Sequence, residues 1–248
     1  MAVKKQESSE IVIEHINMGG SVVWIKGISP FIFNAMSEKA RHELLFPQKK
    51  TKADREQKLK HDPLDEYRNS VYRRLGTGAT RLIFPAAGFK GAMAEAALDI
   101  PGANKTQIKR LVWVEGDYVD MYGVPKMLMS VVRSSDMNHT PDVRTRAILS
   151  EWACKITIKY PVPTLNQVSI GNLLAAAGLM IGVGDFRQGK GKGNYGQFEM
   201  CSEADAAQIV KAGGLAAQDK ALEKPEYYDV ETEGLYTWFE GERKKRGK

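Results

Sequence analysis

Apolar and polar positions recur with two different periods along this chain, and each change of period marks an element. SVVWIKG, residues 21–27, is a run of β-branched and aromatic residues closed by glycine, which predicts a strand. Ser37 then stands as an N-cap before EKARHELL, a helix expected to run to Leu45. Pro63 opens a second helical stretch, LDEYRNSVYRRL, with Leu64, Tyr67, Val71, Tyr72 and Leu75 at roughly helical spacing and GTG to end it. RLIF, closed by Pro85, predicts a short buried strand, and AAGFKGAMAEAAL a helix whose small residues imply close packing. RLVWVEGDYVDMYG suggests two strands around a Gly116-Asp117 hairpin turn, followed by a strand at KMLMSVVR. SSDMNHTPDVRTRA is polar and reads as a loop. WACKITIKYPV alternates as a half-buried strand does. TLNQVSIGNLLAAAGLMI predicts an apolar helix, YGQFEM a last strand, and SEADAAQIVKAGGLAAQDKALEK a helix pair interrupted at Gly213-Gly214. From Pro225 onward no period predicts an element.

Strands and helices alternate, yet a hairpin is present. That order favours an α+β fold around an antiparallel sheet over a doubly wound parallel one. A modified ferredoxin-like (RRM-like) core with insertions fits best. One domain is expected over residues 1–248, with a C-terminal extension from about residue 202. FPQKKTKADREQKLKHDP has too little apolar content to bury, so residues 47–62 are expected to form an exposed, mobile basic insertion. Residues 1–9 read as a frayed arm.

Composition narrows the function classes. Apolar residues make up 43% of the chain, enough for a sizeable core, and Trp24, Trp113 and Trp152 are expected in it. The net charge of +6 suggests an anionic partner. Its basic residues fall in three blocks, around Lys49–Lys60, around Arg187–Lys192 and in the tail from Arg243. Cys154 and Cys201 are too few for a disulfide framework or a four-thiolate zinc site, and Cys154 is expected to pack as a small apolar residue. His15, His42, His61 and His139 lack ligand spacing, so neither a metal nor another cofactor is expected. No window approaches the ~20 apolar residues of a membrane span, which leads to the expectation of a soluble, cytoplasmic protein in a reducing compartment.

The densest chemistry lies in GVGDFRQGKGKGNYGQF, residues 182–198. A nucleotide-binding loop must follow a strand and open a helix; here the order is helix, loop, strand, and no GK[ST] is present. A flexible linker would explain the glycines but not Phe186 and Tyr195. The favoured reading is a loop lying against a nucleic-acid backbone. Gly182, Gly184, Gly191 and Gly193 would let the main chain approach phosphates and expose N–H donors. Arg187, Lys190 and Lys192 add charge, and Tyr195 or Phe198 would stack on a base. Two further basic groups are candidates. Lys49, Lys50 and Lys52 form either a phosphate-contacting arm or a solvated run. Arg144 and Arg146, two apart, share a face if their segment is a strand; they would meet a backbone, or guard an exposed edge.

An apolar helix, NLLAAAGLMIG, followed by a loop carrying Gly182, Gly184, Gly191, Gly193, Gly196 and Phe198 and then a short strand, resembles the glycine-rich loop of the CRISPR-associated RAMP superfamily. The resemblance covers residues 172–200. It implies a ferredoxin-like core, RNA binding and, for the backbone subunits of that superfamily, polymerisation along a guide RNA. SPFIFNAMSEKAR, FPAAGFKGAM and GVGDFR…YGQFEM also resemble segments shared by a group of phage and prophage proteins. The superfamily includes RNA-cleaving members with a catalytic His, and His42 is where such a role would fall, although no partner base is evident. Asp117 and Asp120 lack the acidic cluster of a two-metal nuclease. The expectation is therefore a non-enzymatic protein that binds single-stranded nucleic acid, guide RNA or phage ssDNA with RNA favoured, in multiple copies along the strand. A phage structural or assembly protein and an RNA-processing endoribonuclease are the rivals.

Overall fold

β1 (Asn17–Gly27) is the strand on which the main sheet is built. It pairs antiparallel with β9 (Ala153–Val162), from Asn17↔Val162 to Lys26↔Ala153. Its other edge takes β10 (Phe198–Cys201), from Trp24↔Cys201 to Gly27↔Phe198. β5 (Trp113–Val114) closes the sheet on the far side of β9, so the order is β10-β1-β9-β5. The computed structural model describes residues 15–46, 61–133, 141–190 and 193–246. The arm at 1–9, nearly all of the insertion expected at 47–62, and with them Lys49, Lys50, Lys52, Gly191 and Lys192 lie outside the described residues.

The connection from β1 to β5 contains α3 (Ala86–Ala96), and that from β9 to β10 contains α5 (Gln167–Ala176); the two helices pack against each other. Alternation decides which strand face meets them. Cys154, Ile156, Ile158 and Tyr160 of β9 are buried, while Lys155 is exposed. Burying each such large apolar side chain contributes roughly 1.5–3 kcal/mol. A second sheet has the order β2-β8-β7: β2 (Phe31–Ile32), β7 (Pro125–Arg133) and β8 (Pro141–Leu149). A third, β3-β4-β6, is made of β3 (Tyr72–Arg73), β4 (Leu82–Pro85) and β6 (Tyr118–Asp120). The mixture of helices and antiparallel sheets is α+β, as the pattern predicts.

The other helices are α1 (Glu38–Leu45), α2 (Pro63–Asn69), α4 (Lys105–Leu111), α6 (Glu203–Ala212), α7 (Leu215–Glu223) and α8 (Val230–Lys245). Ser37 caps α1 as expected, accepting from the Ala40 N–H at 3.2 Å. Buried rings join the sheets. Phe31 meets Phe84 at 5.0 Å and Trp152 at 5.4 Å, and Phe89 meets Phe198 at 5.9 Å. No helix among the described residues is long and apolar enough to cross a membrane.

Five expectations are corrected. The helix that opens at Pro63 stops at Asn69: the Ser70 hydroxyl donates to the Tyr67 carbonyl at 2.7 Å, and Tyr72 pairs with Ile83 in β3–β4. PDVRTRA is not a loop but β8, paired along its length with β7; its charged residues Asp142, Arg144 and Arg146 share one face, and Thr145, Ala147 and Leu149 are buried on the other. Gly116 does turn the chain, at φ +82°, but β5 and β6 join different sheets and form no hairpin. Trp113 is 60% exposed, and Trp24 is half-buried with Lys155 5.6 Å above its ring; only Trp152 of the three is fully buried. The C-terminal stretch is helical. α8 is capped by Asp229, opened by Glu231 and Glu233, and closed by Arg243–Lys245, so charge and capping stabilise it where apolar spacing is weak.

Candidate nucleic-acid interface

α5 does not stop where its α-helical turns end. Ala177–Ile181 continue as one π-helical turn, sealed by the Gly182 N–H donating to the Ala177 carbonyl at 2.8 Å. The wider turn seats Gly178 against β10: a Cβ there would lie 2.0 Å from the Phe198 carbonyl oxygen. Gly182, Gly184 and Gly196 then adopt φ of +71°, +84° and +72°, conformations that side chains disfavour. Gly193 and Gly196 also touch main chain, since added Cβ atoms would come within 1.6 Å of the Phe186 oxygen and 1.7 Å of the Val183 oxygen.

These contacts close the loop on itself. Val183 N–H donates to Gly196 O at 2.9 Å, Asp185 N–H to Ile32 O at 3.0 Å, and Gly196 N–H to Pro30 O at 2.8 Å. The Gln197 N–H donates to the Ser29 hydroxyl at 3.0 Å. The Gly182 N–H and several neighbouring main-chain donors are thus used within the protein, and the glycines have an internal reason, close backbone packing. Phe198, a stacking candidate by sequence, is 1% exposed and belongs to the ring core. What the loop offers outward is side chains.

The loop crosses the outer face of the second sheet. There Ile32, Leu128 and Ile148 form a small buried cluster, and Phe186, Tyr195 and Tyr228 pack over it. Arg144 and Arg146 lie on that face, since Arg146 pairs with Leu128 and Arg144 with Ser130. The Arg146 guanidinium meets the Asp185 carboxylate, tying β8 to the loop. Burial and then the nearby Arg144 push the Arg146 pKa down to about 10, so it remains charged at neutral pH. Arg144 is exposed, as is Lys190 at the end of the 3-10 turn Gln188–Lys190, and neither side chain has a partner among the described residues. Arg146 and Phe186, 40 positions apart in sequence, thus share one surface.

Arg187 is directed elsewhere. Its guanidinium donates to the Gly184 carbonyl at 3.1 Å, and it lines a cleft of about 270 Å³ with Asn34, Tyr72, Phe84 and Glu95. Tyr228 was not signalled by periodicity; the only hint was an aromatic pair, Tyr227-Tyr228, in a polar stretch. It is held because its N–H donates to Met127 O at 2.8 Å, and burial, then Tyr195, raise its pKa.

The histidines sort differently from their sequence prospects. His42 is exposed, with Glu38 at 3.8 Å its one side-chain partner among the described residues. His61 has a carboxylate at each ring nitrogen, Glu66 at 2.7 Å from Nδ1 and Asp142 at 3.1 Å from Nε2. Glu66 also accepts from the Thr145 N–H at 3.2 Å, so the trio clamps α2 to the edge of β8. Among the described residues no cluster of His, Cys, Asp and Glu forms a metal-binding group.

No protein-family model and no curated protein sequence matches the chain. Among solved structures, it is similar to a chain in the "Cryo-EM structure of the Type III-B Cmr-beta bound to cognate target RNA", with a TM-score of 0.37 and 13% identity over 74% of this chain. The match spans 59% of that chain. A likeness at this level carries no function across, so function is argued from the site.

Proposed function

We propose that the protein binds single-stranded nucleic acid, RNA by preference, across the surface formed by β8 and the glycine-rich loop. One observation carries the reading: Arg144 and Arg146 share that surface with the Phe186, Tyr195 and Tyr228 rings, and the same glycine-rich loop adds the exposed Lys190. Cations and aromatic rings on one face match what single strands require, charge for phosphates and flat faces for bases. The role is one of binding, not catalysis. The strand order β10-β1-β9-β5, with α3 and α5 in the two crossing connections, supports assigning the main sheet to the ferredoxin-like core.

The test is equilibrium binding of labelled single-stranded RNA and DNA across a salt series. Arg144→Ala with Lys190→Ala should weaken binding similarly for every sequence, because phosphate contacts carry no sequence information. The slope of log K against log salt should fall by about 0.7 per contact, roughly 1.4 for the pair. A folded double variant with unchanged affinity and slope would remove this surface from the argument.

A further inference from the structure

A second cationic cavity lies away from this surface. Arg68, Arg73, Arg74 and Arg81 line it, with a volume of about 590 Å³. Arg68 comes from the last turn of α2, Arg73 from β3, and Arg74 and Arg81 from the two ends of the β3–β4 connection. α7 supplies the opposite wall through Asp219 and Leu222.

Most of these guanidiniums are locked. Arg81 holds both Asp219 oxygens, at 2.7 and 3.0 Å, and donates to the Arg74 and Gly76 carbonyls at 2.8 and 3.0 Å. Arg68 donates to the Leu222 and Glu223 carbonyls at 2.9 and 2.8 Å, capping the C-terminus of α7. Arg74 is held by Asp120 at 2.6 Å, while its Nε is buried with no partner. Arg73 is the exception. It makes one bond, from Nη2 to the Arg68 carbonyl, and its remaining N–H groups have no protein acceptor among the described residues. Burial, and after it Arg68, lower its pKa from the usual guanidinium value, the sign of a cation among cations.

The geometry points to this cavity as a binding site for a phosphate monoester, the end group of a nucleotide or of a nucleic-acid strand. A rigid cationic wall leaves a forked donor, Arg73, free to take two oxygens of one phosphate. Asp219 and Glu223 line the cavity and Asp120 holds Arg74 from behind, so the four guanidiniums still outnumber their carboxylates and an anion would relieve the excess. The volume exceeds a bare phosphate and falls within the roughly 300–1,000 Å³ of small-ligand sites, which leaves room for a substituent. Leu222 and Leu75, the latter 94% exposed at the hairpin tip, give that substituent apolar surface.

Calorimetric titration of the full chain tests this with three probes: a nucleoside monophosphate, and one short oligonucleotide ending in either a phosphate or a hydroxyl. Arg73→Ala should weaken the phosphate-bearing probes about tenfold, the size of one lost charge-assisted hydrogen bond, and leave the hydroxyl-ended strand unchanged. Arg144→Ala should weaken both oligonucleotides and leave the mononucleotide unchanged, which separates this site from the β8 surface. Tight mononucleotide binding with no gain from the strand's terminal phosphate identifies a free nucleotide as the ligand; the reverse identifies a strand end. Arg73 makes a single hydrogen bond to the protein, so its variants should melt as the parent does, and Arg73→Lys, which keeps the charge without the fork, should bind between the two. Equal binding of phosphate and hydroxyl ends with no mononucleotide binding, or an Arg73→Ala variant that binds as the parent does, overturns the assignment.

Discussion

At the residue scale, the glycine-rich loop shows how one composition can serve two ends. Gly196 sits at φ +72° with the Val183 oxygen 1.7 Å from where a Cβ would be. Gly196→Ala must therefore both adopt a disfavoured backbone conformation and push main chain apart. The left-handed cost alone is roughly 1–2 kcal/mol, and the contact adds to it. Urea unfolding should show a loss of about 2 kcal/mol or more, whereas Gly20→Ala, in open space on β1, should cost under ~1 kcal/mol. Equal losses would mean that the close packing is not what the loop glycines serve. That a glycine run occurs here was legible from sequence. That donors such as the Asp185 and Gly196 N–H groups face inward was not, because their partners Ile32 and Pro30 lie some 150 positions upstream.

At the element scale, side-chain capping decides where α6 and α8 begin. The Ser202 hydroxyl accepts from the Asp205 N–H at 3.2 Å, and the Asp205 carboxylate accepts from the Ser202 N–H at 3.0 Å, a complete capping box on α6. The Ser202 hydroxyl, followed by its N–H, holds the Asp205 carboxyl below its usual value. A group depressed in the folded state stabilises fully above its unfolded pKa and loses that contribution as pH falls through the folded one. Ser202→Ala should therefore cost about 1 kcal/mol near pH 7, and the gap to the parent should narrow well below about pH 4. Denaturant midpoints at both pH values measure it; a gap constant with pH would deny the carboxylate a part. The same chemistry explains α8. Its Asp229 cap, acidic first turn and basic last turn are visible in the sequence, but a reading led by apolar period passes over them.

At the scale of the whole molecule, Gln218 joins segments that are remote in the chain. Its Oε1 accepts from the Arg81 and Leu82 N–H groups, and its Nε2 donates to the Met121, Gly123 and Gly213 carbonyls. The side chain is fully buried, so Gln218→Leu would take away one partner from each of these main-chain groups where water cannot replace it. A loss of about 3 kcal/mol or more in urea unfolding is expected. A loss under ~1 kcal/mol would show that α7 can part from β4 without disturbing the rest. Arg68 and Arg81 make the same junction from the other side, which is why the arginine cavity is rigid.

The chain's local physics determined much of this structure by itself. Ser37, the Gly213-Gly214 break and the alternation in β9 each act within a few residues, through capping, backbone freedom and side-chain period, so they can be read from the sequence. The α+β class follows from their order. Tertiary structure alone decided three things: that Arg144 and Arg146 lie on a strand face, that this face meets the loop through Asp185, and that four arginines from α2 and the β3–β4 hairpin enclose one cavity. The reason is physical. A polar stretch such as PDVRTRA gains its strand geometry from β7 and from the buried residues beneath it, and neither is a neighbour in sequence.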